Sequence, residues 1–210
     1  MNTAHYDFPL VSLNGKLYAI GGRSGVLNQA TQKIEGAIEE YNPGTDSWTT
    51  KITSQSLYMY NMAAVGATDG YIYIFGGRDG NNNGGFSSSI LYNTVWRYNP
   101  ANNELINMAT MGVTLPVDSG TTGRQGCEAI CIDRKIYVIG GFTATDPYKP
   151  IPEYNACARV DIYDIDKRTW STGANLPRPL GAFGIAGGSD SIYVIGGNDF
   201  YTNNANPELK

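Results

Sequence analysis

The sequence predicts an all-β protein built from repeated four-stranded units, and three observations support this class. A short β-branched and aromatic segment ending in a glycine pair occurs four times, at residues 16–22, 71–77, 135–141 and 191–197. The first glycines of the pairs, at positions 21, 76, 140 and 196, are 55, 64 and 56 residues apart. The 210 residues include 26 glycines, 15 tyrosines and only 16% charged residues, which indicates many turns and few long helices. A long, nearly fixed period is typical of stacked repeats.

The glycine-pair segment is predicted to be the second strand of each unit. Its β-branched and aromatic residues favour a buried strand, and the glycines permit a turn with positive φ that other residues resist. A segment of small residues, suited to a crowded first strand, precedes it at residues 63–67, 127–131 and 182–186, and the looser residues 10–13 precede the first copy.

A tyrosine block follows each of the first three glycine pairs, at residues 38–48, 95–105 and 160–170. In each block a β-branched residue precedes a tyrosine by three positions, and a tryptophan or leucine follows the tyrosine by seven. The turn between them predicts a hairpin that supplies the third and fourth strands. Since one four-stranded unit cannot cover both its faces, the units must stack. Radial stacking produces a β-propeller in which the small-residue strands line the axis.

The glycine pair, the tyrosine strand and the tryptophan seven residues later resemble the kelch repeat, which folds as one blade of a β-propeller. The resemblance covers almost the whole chain and implies a single kelch-repeat domain, residues 1–210. Its blades are expected near residues 1–52, 57–109, 121–174 and 178–210. One departure is Leu105, which stands where the repeat usually has tryptophan. Trp96, two residues before Tyr98, is expected to fill the space that the missing indole leaves.

The number of blades is a second departure. The chain contains three full blades and a partial fourth, represented by its first two strands, whereas kelch propellers typically close with six or seven. An open arc exposes blade faces and strand edges, which favours aggregation. Three alternatives follow: the chain is incomplete because it is part of a longer protein, copies of it associate into an oligomer that closes the ring, or it closes as a four-bladed ring.

Composition and local patterns exclude several classes of protein. The formal net charge of −4 and the lack of a lysine/arginine block argue against nucleic-acid binding. No apolar run approaches the roughly 18 residues that span a bilayer, and the amino terminus lacks a signal-peptide pattern. The expected location is therefore the cytoplasm, unless the chain was cut from a longer one. Cys127 and Cys131 are not expected to form a disulfide with each other, because four strand steps separate their Cα atoms by about 13 Å.

Neither a metal nor another cofactor is expected. His5 is the single histidine, whereas kelch-like copper oxidases need two histidine ligands and iron-dependent specifier proteins need a Glu/Asp/His set. Sialic-acid mutarotases of bacteria share the kelch repeat and could work without metal, using an acid/base pair in the mouth of the propeller. The candidates for that pair are Glu128, Glu153, Asp118 and Arg124.

The expected binding face carries the loops after the glycine pairs and the segments that lead into the first strands, because alternating strand directions place both at one end. Counting sixteen residues back from each first glycine locates the leading segments at His5, Tyr60, Arg124 and Leu180. The candidate ligand-binding residues are Arg23, Tyr60, Arg78, Arg124, Phe142 and Asn198. The long loops at residues 78–89 and 142–157, the latter with Tyr148 and Tyr154, extend this face.

The preferred function is a binding scaffold for a protein or an acidic peptide. In adaptor proteins with similar repeats this face grips acidic peptides, and Arg23, Arg78 and Arg124 could form a partial basic ring that contacts carboxylates. Alternatively, the arginines pair with neighbours such as Asp79 or are simply solvated. The alternative function is a metal-independent sugar mutarotase. A sugar site would place a carboxylate, an arginine and a stacked aromatic together in the mouth, whereas a peptide site would show separated arginines and no central carboxylate.

Overall fold

The computed structural model describes residues 1–25, 33–79, 90–144, 154–188 and 190–201. Strands dominate this part of the chain, and two short 3-10 helices, Gln55–Leu57 and Met108–Met111, follow the first and second blades. Strands are numbered in chain order. The predicted loop residues 80–89, Tyr148 and Glu153 lie outside the described residues.

Three blades each contain four antiparallel strands in meander order. The first contains β1 (Leu10–Leu13), β2 (Lys16–Ile20), β5 (Ala37–Asn42) and β6 (Ser47–Thr53). The second contains β7 (Ala63–Gly66), β8 (Ile72–Phe75), β9 (Val95–Asn99) and β10 (Glu104–Asn107). The third contains β11 (Glu128–Ile132), β12 (Lys135–Ile139), β15 (Val160–Asp164) and β16 (Thr169–Thr172).

The fourth blade has two strands in the described part of the chain, β17 (Gly181–Gly187) and β18 (Ile192–Asn198). Short ribbons follow two of the glycine pairs. In one, β3 (Arg23–Ser24) pairs with β4 (Lys33–Ile34), and in the other, β13 (Phe142–Ala144) pairs with β14 (Tyr154–Ala156). After the fourth glycine pair, β19 (Phe200–Tyr201) pairs with β14.

The blades are arranged around an axis formed by their first strands. β1 contacts β7, β7 contacts β11, and β11 contacts β17, so the four blades follow one another in chain order. Apolar clusters fill the space between successive blades. The predicted all-β, partial kelch-type propeller is therefore confirmed.

Tyrosines from facing blades meet in the two interfaces between complete blades. Tyr18 of β2 lies against Tyr98 of β9, with ring centroids 6.4 Å apart, and Tyr73 of β8 lies against Tyr163 of β15 at 5.9 Å. Leu105 and Trp96 both pack into the cluster between the first and second blades. Their shared location supports the prediction that Trp96 compensates for the missing indole.

The glycine pairs join each blade to the next through the backbone. The second glycine donates its N–H to a carbonyl of the following blade: Gly22 to Met59 at 2.9 Å, Gly77 to Arg124 at 2.9 Å and Gly141 to Leu180 at 2.8 Å. The first glycine approaches the same segment so closely that a side chain has no room. A Cβ on Gly76, whose φ is +62°, would lie 2.2 Å from the Arg124 carbonyl oxygen.

In the described part of the chain, the outer face of the fourth blade is exposed. Tyr193 and Ile195 are 62% and 65% exposed, whereas Tyr18 and Ile20, which occupy the same repeat positions, are 2% and 0% exposed. A Cβ on Gly196 would meet no atom within 4 Å. Within the described residues the four blades therefore do not close a ring with one another, so of the three alternatives the four-bladed ring is not the arrangement seen there.

Candidate functional site

Backbone bridges bring the loops and the leading segments to one end of the blades. The residue after a glycine pair bridges to the segment that leads into the first strand: Arg23 to Tyr6, Arg78 to Tyr60 and Phe142 to Gln125. Each bridge has hydrogen bonds of 2.8–3.1 Å between backbone N–H and C=O groups. We call this end of the blades the loop face.

Three tyrosines and two arginines alternate across the loop face. The Arg23 guanidinium lies 4.9 Å from the centroid of the Tyr6 ring and 4.2 Å from that of Tyr60. The Arg78 guanidinium lies 5.1 Å from the centroid of Tyr60 and 5.2 Å from that of Tyr154. This tyrosine–arginine stack joins three blades, and its cation–π contacts hold both guanidinium groups in defined positions.

The two arginines of the stack differ in exposure. Arg78 is buried, whereas Arg23 is partly exposed and forms an ion pair with the carboxylate of Asp7, which is more exposed still. Arg23 is therefore the cation of the stack that a ligand reaches from solvent.

Arg124 lies apart from the stack, although it was predicted to share a basic ring with Arg23 and Arg78. It is fully buried, and its guanidinium donates to Asp161 Oδ2 at 2.9 Å. The bridge to Phe142 is made by Gln125, one residue later than the counted position. Successive side chains of an extended chain point in opposite directions, so a shift of one residue turns Arg124 inward.

Arg124 belongs to a charge network that is buried at Arg124 and Asp161 and partly exposed at Arg159 and Asp118. Arg159 donates to both carboxylate oxygens of Asp161, at 3.2 and 2.7 Å, and to Asp118 at 2.8 Å. The hydrogen bond to Asp161, and with it the hydrogen bond to Asp118, raises the pKa of Arg159 above its usual range. Partial desolvation lowers this pKa, but by less than the hydrogen bonds raise it. The network links β15 to the connection between the second and third blades.

Two other predicted residues also differ from Arg23 in their surroundings. Phe142 is buried in a small cluster with Leu91, Ala144 and Tyr154. Asn198 is partly buried at the end of β18, opposite Gly181. The structure thus brings Arg23, Tyr60 and Arg78 together and places Arg124 and Asn198 elsewhere. Tyr6 was not among the predicted partners of Arg23, although it directly follows the counted position His5.

A cleft of about 720 Å³ follows the axis of the propeller. Residues of all four first strands line it, including Leu10, Ala64, Glu128 and Phe183, and Asp7 and Arg23 contribute from the loop face. Burial raises the pKa of Glu128 to about 7. Glu128 is the acid/base candidate that lines this cleft in the described part of the chain, since Asp118 and Arg124 belong to the charge network with Arg159 and Asp161.

The raised pKa of Glu128 predicts a specific dependence of stability on pH. Between its ordinary pKa of 4.5 and about 7, the unfolded chain loses the proton of this carboxyl while the folded chain keeps it. Stability should therefore fall as pH rises through this window, by about 3 kcal/mol from this group. Urea unfolding at a series of pH values measures the difference in unfolding free energy between the parent and Glu128→Gln. An unchanged difference across the window would contradict the assignment.

The described residues contain no cluster of three or more His, Cys, Asp and Glu side chains that could hold a metal ion. The three cysteines are free thiols, and burial raises the pKa of Cys127 to about 12. Neither of the two short helices in the described ranges is long and apolar enough to cross a membrane.

Comparison with known proteins shows similarity to several kelch proteins. Kelch-like protein 35 of Mus musculus is 23% identical over 202 residues, which are 95% of this chain and 28% of that protein. Beta-scruin of Limulus polyphemus is 23% identical over 198 residues, or 94% of this chain and 19% of the relative. Kelch repeat and BTB domain-containing protein 2 of Homo sapiens is 27% identical over 174 residues, or 80% of this chain and 23% of the relative. The chain thus spans less than a third of each of these three relatives.

A family model provides the more direct assignment. The KLHDC2/KLHL20/DRC7 Kelch-repeats domain matches residues 8–206, a range that includes all the strands of the four blades. With the repeated glycine pairs, the tyrosine blocks and the bladed architecture, this match shows that the chain belongs to the kelch-repeat family.

Proposed function

We propose that this chain is a protein-interaction scaffold whose loop face binds an acidic peptide segment. The observation that carries the proposal is the tyrosine–arginine stack, because it spans three blades and holds the guanidinium groups of Arg23 and Arg78 in fixed positions. Similarity to Kelch-like proteins supports the general role of an interaction scaffold. The acidic character of the partner rests on the stack alone.

Arg23 is the residue that we expect to contact the partner. Tyr6 and Tyr60 contact its guanidinium, so less side-chain entropy is lost when a ligand binds. Asp7 pairs with Arg23 in the free protein. A carboxylate of the partner replaces Asp7 or shares the guanidinium with it, and guanidinium groups suit bidentate contact with carboxylates. Because the contact is electrostatic and close to solvent, it weakens with added salt.

Replacement of Arg23 by alanine is expected to weaken binding of a short, glutamate-rich labelled peptide about tenfold, a loss of about 1.4 kcal/mol. Fluorescence anisotropy at two salt concentrations measures the affinity. Arg134→Ala is the matched control, because Arg134 is exposed and paired with Asp166 on turns between strands of the third blade. Arg23→Lys tests whether stacking matters in addition to charge. Equal affinities of Arg23→Ala and the parent would refute the role of Arg23.

A second candidate function, metal-independent sugar mutarotation, is favoured by the position of Glu128. Its carboxyl has a pKa near 7 and lines the axial cleft that Arg23 and Asp7 also line. A carboxyl that titrates near neutral pH suits general acid/base catalysis. Tyr6, which is partly exposed and contacts Arg23, supplies an aromatic surface beside that arginine.

Exchange between sialic-acid anomers, followed by NMR, tests this second function. If it holds, the parent chain accelerates exchange and Glu128→Gln lowers the rate about 100-fold or more. If the parent exchanges anomers no faster than buffer does, this candidate is eliminated and the scaffold proposal is unaffected.

A further inference from the structure

The outer edge of β18 differs from the corresponding edges of the complete blades. In those blades the second strand pairs on its outer edge with a third strand, β2 with β5, β8 with β9 and β12 with β15. β18 pairs with β17 alone in the described part of the chain. The following residues lead to β14, where β19 pairs, and not back along β18.

The repeated register defines the strand that fits this edge. Opposite the last residue of the second strand stands a β-branched residue in every complete blade, as in the pair Phe75–Val95. Three positions earlier on the second strand, the residue pairs with a tyrosine of the third strand, as in the pair Ile72–Tyr98. On β18 these positions are Ile195 and Ile192. The fitting strand is thus antiparallel to β18 and carries an aromatic residue three positions after a β-branched one.

Hydrogen bonding at the glycine pairs follows the same rule. In each complete blade, the N–H of the first glycine donates to the backbone carbonyl of the residue just before the β-branched one. The three bonds run from Gly21 to Ala37 at 2.8 Å, from Gly76 to Thr94 at 3.0 Å and from Gly140 to Arg159 at 2.8 Å. The equivalent donor on the fourth blade is the N–H of Gly196.

An apolar cavity lies where the described residues of the fourth blade supply no equivalent tyrosine. In the complete interfaces Tyr98 and Tyr163 are fully buried against Tyr18 and Tyr73 of the preceding blade. The next tyrosine in this series is Tyr137 of β12. It lines a cavity of about 290 Å³ whose other lining residues are glycine, alanine or branched aliphatic residues. Ile192 and Val194 of β18 form part of that wall, so the cavity adjoins the free edge.

We propose that the β18 edge and this cavity form a groove for an extended strand of another polypeptide, bound by β-strand addition. The groove continues the series of blade interfaces already present, and backbone pairing supplies affinity while the aromatic residue filling the cavity supplies specificity. β18 and the cavity lining contain no charged residue, so an apolar strand is favoured. A second copy offering its own β18 does not fit, because neither β17 nor β18 has an aromatic residue three positions after a β-branched one. The proposal does not depend on the function proposed for the loop face.

A peptide with the sequence of residues 93–107, which form the third and fourth strands of the second blade, is the probe. It carries Val95 and Tyr98 at the required spacing. The intact chain is expected to bind the labelled peptide saturably in fluorescence anisotropy. The Tyr98→Ala peptide should bind at least about tenfold more weakly, a difference of about 1.4 kcal/mol. The Arg97→Ala peptide is the matched control and should match the parent peptide, because side chains alternate and Arg97 would face away from the cavity.

Variants of the protein supply the complementary test. Val194→Glu places a charge in the cavity wall and should abolish binding, whereas Tyr193→Ser, on the exposed face of the same strand, should leave it unchanged. Because Val194→Glu can fail to fold, two measurements on the parent protein test the groove independently. The first compares its affinities for the Tyr98→Ala and Arg97→Ala peptides. The second asks whether the Gly196 amide exchanges more slowly when the parent peptide is bound. The proposal is overturned if both peptides bind equally, if neither binds, or if the Gly196 amide is already protected in the chain alone or in a dimer of it.

Discussion

Replacing Asp161 with alanine should destabilise the chain by about 3–5 kcal/mol, because it leaves buried charge without a partner. Arg124 is fully buried, and its guanidinium donates to Asp161, which Arg159 also contacts. The desolvation cost of the Arg124 charge remains in the variant, while its compensation is lost. Urea unfolding followed by circular dichroism measures the change in the midpoint.

Asp166→Ala provides the matched comparison. Asp166 also forms an ion pair with an arginine, Arg134, but both side chains are about half exposed. Exposed pairs contribute little to stability because water already solvates both charges. We expect the midpoint of Asp166→Ala to lie close to that of the parent. Similar losses in the two variants would show that burial of Arg124 is not what makes Asp161 important.

Gly76→Ala should cost several kcal/mol of unfolding free energy, and much more than Gly196→Ala. Both glycines have positive φ, +62° and +76°, so alanine at either position carries a backbone cost of about 1–2 kcal/mol. At Gly76 the new Cβ would also lie 2.2 Å from the Arg124 carbonyl oxygen, which must move and disturb the joint between the second and third blades. At Gly196 nothing lies within 4 Å.

The two glycine variants are compared by thermal and urea unfolding under identical conditions. A larger loss for Gly76→Ala confirms that the next blade, and not φ alone, requires glycine at this repeat position. Equal losses of unfolding free energy would mean that the contact between the second and third blades rearranges with little loss of stability.

The fold was predictable because its signals are local and repeated. Strand alternation, glycine pairs and turn residues lie within a few positions of one another, and four copies reinforce each assignment. The candidate site depends on contacts between residues far apart in sequence. The ion pair of Arg124 and Asp161 joins residues 37 positions apart, and no local pattern links them.

The site was predictable only in part for a geometric reason. Arg23, Tyr60 and Arg78 follow from the repeat, since each lies next to a glycine pair or in the segment bridged to it. Counting from the glycines placed Arg124 on the same face, but Gln125 occupies the bridging position. The stack also needs Tyr154, which belongs to the β14 ribbon and has no fixed spacing from Arg78. A shift of one residue changes which side chains face a ligand, and spacing alone does not reveal such a shift.

Hydrogen–deuterium exchange of the first glycines of the four pairs tests the central claim, that three complete blades are followed by a fourth whose outer edge is open in the described part of the chain. The N–H groups of Gly21, Gly76 and Gly140 donate to the third strand or to the residue preceding it, so their exchange should be slow. The N–H of Gly196 should exchange orders of magnitude faster in the chain alone, because local opening there breaks few contacts. Equally slow exchange at Gly196 would contradict the account, since it would mean that the fourth blade is already covered.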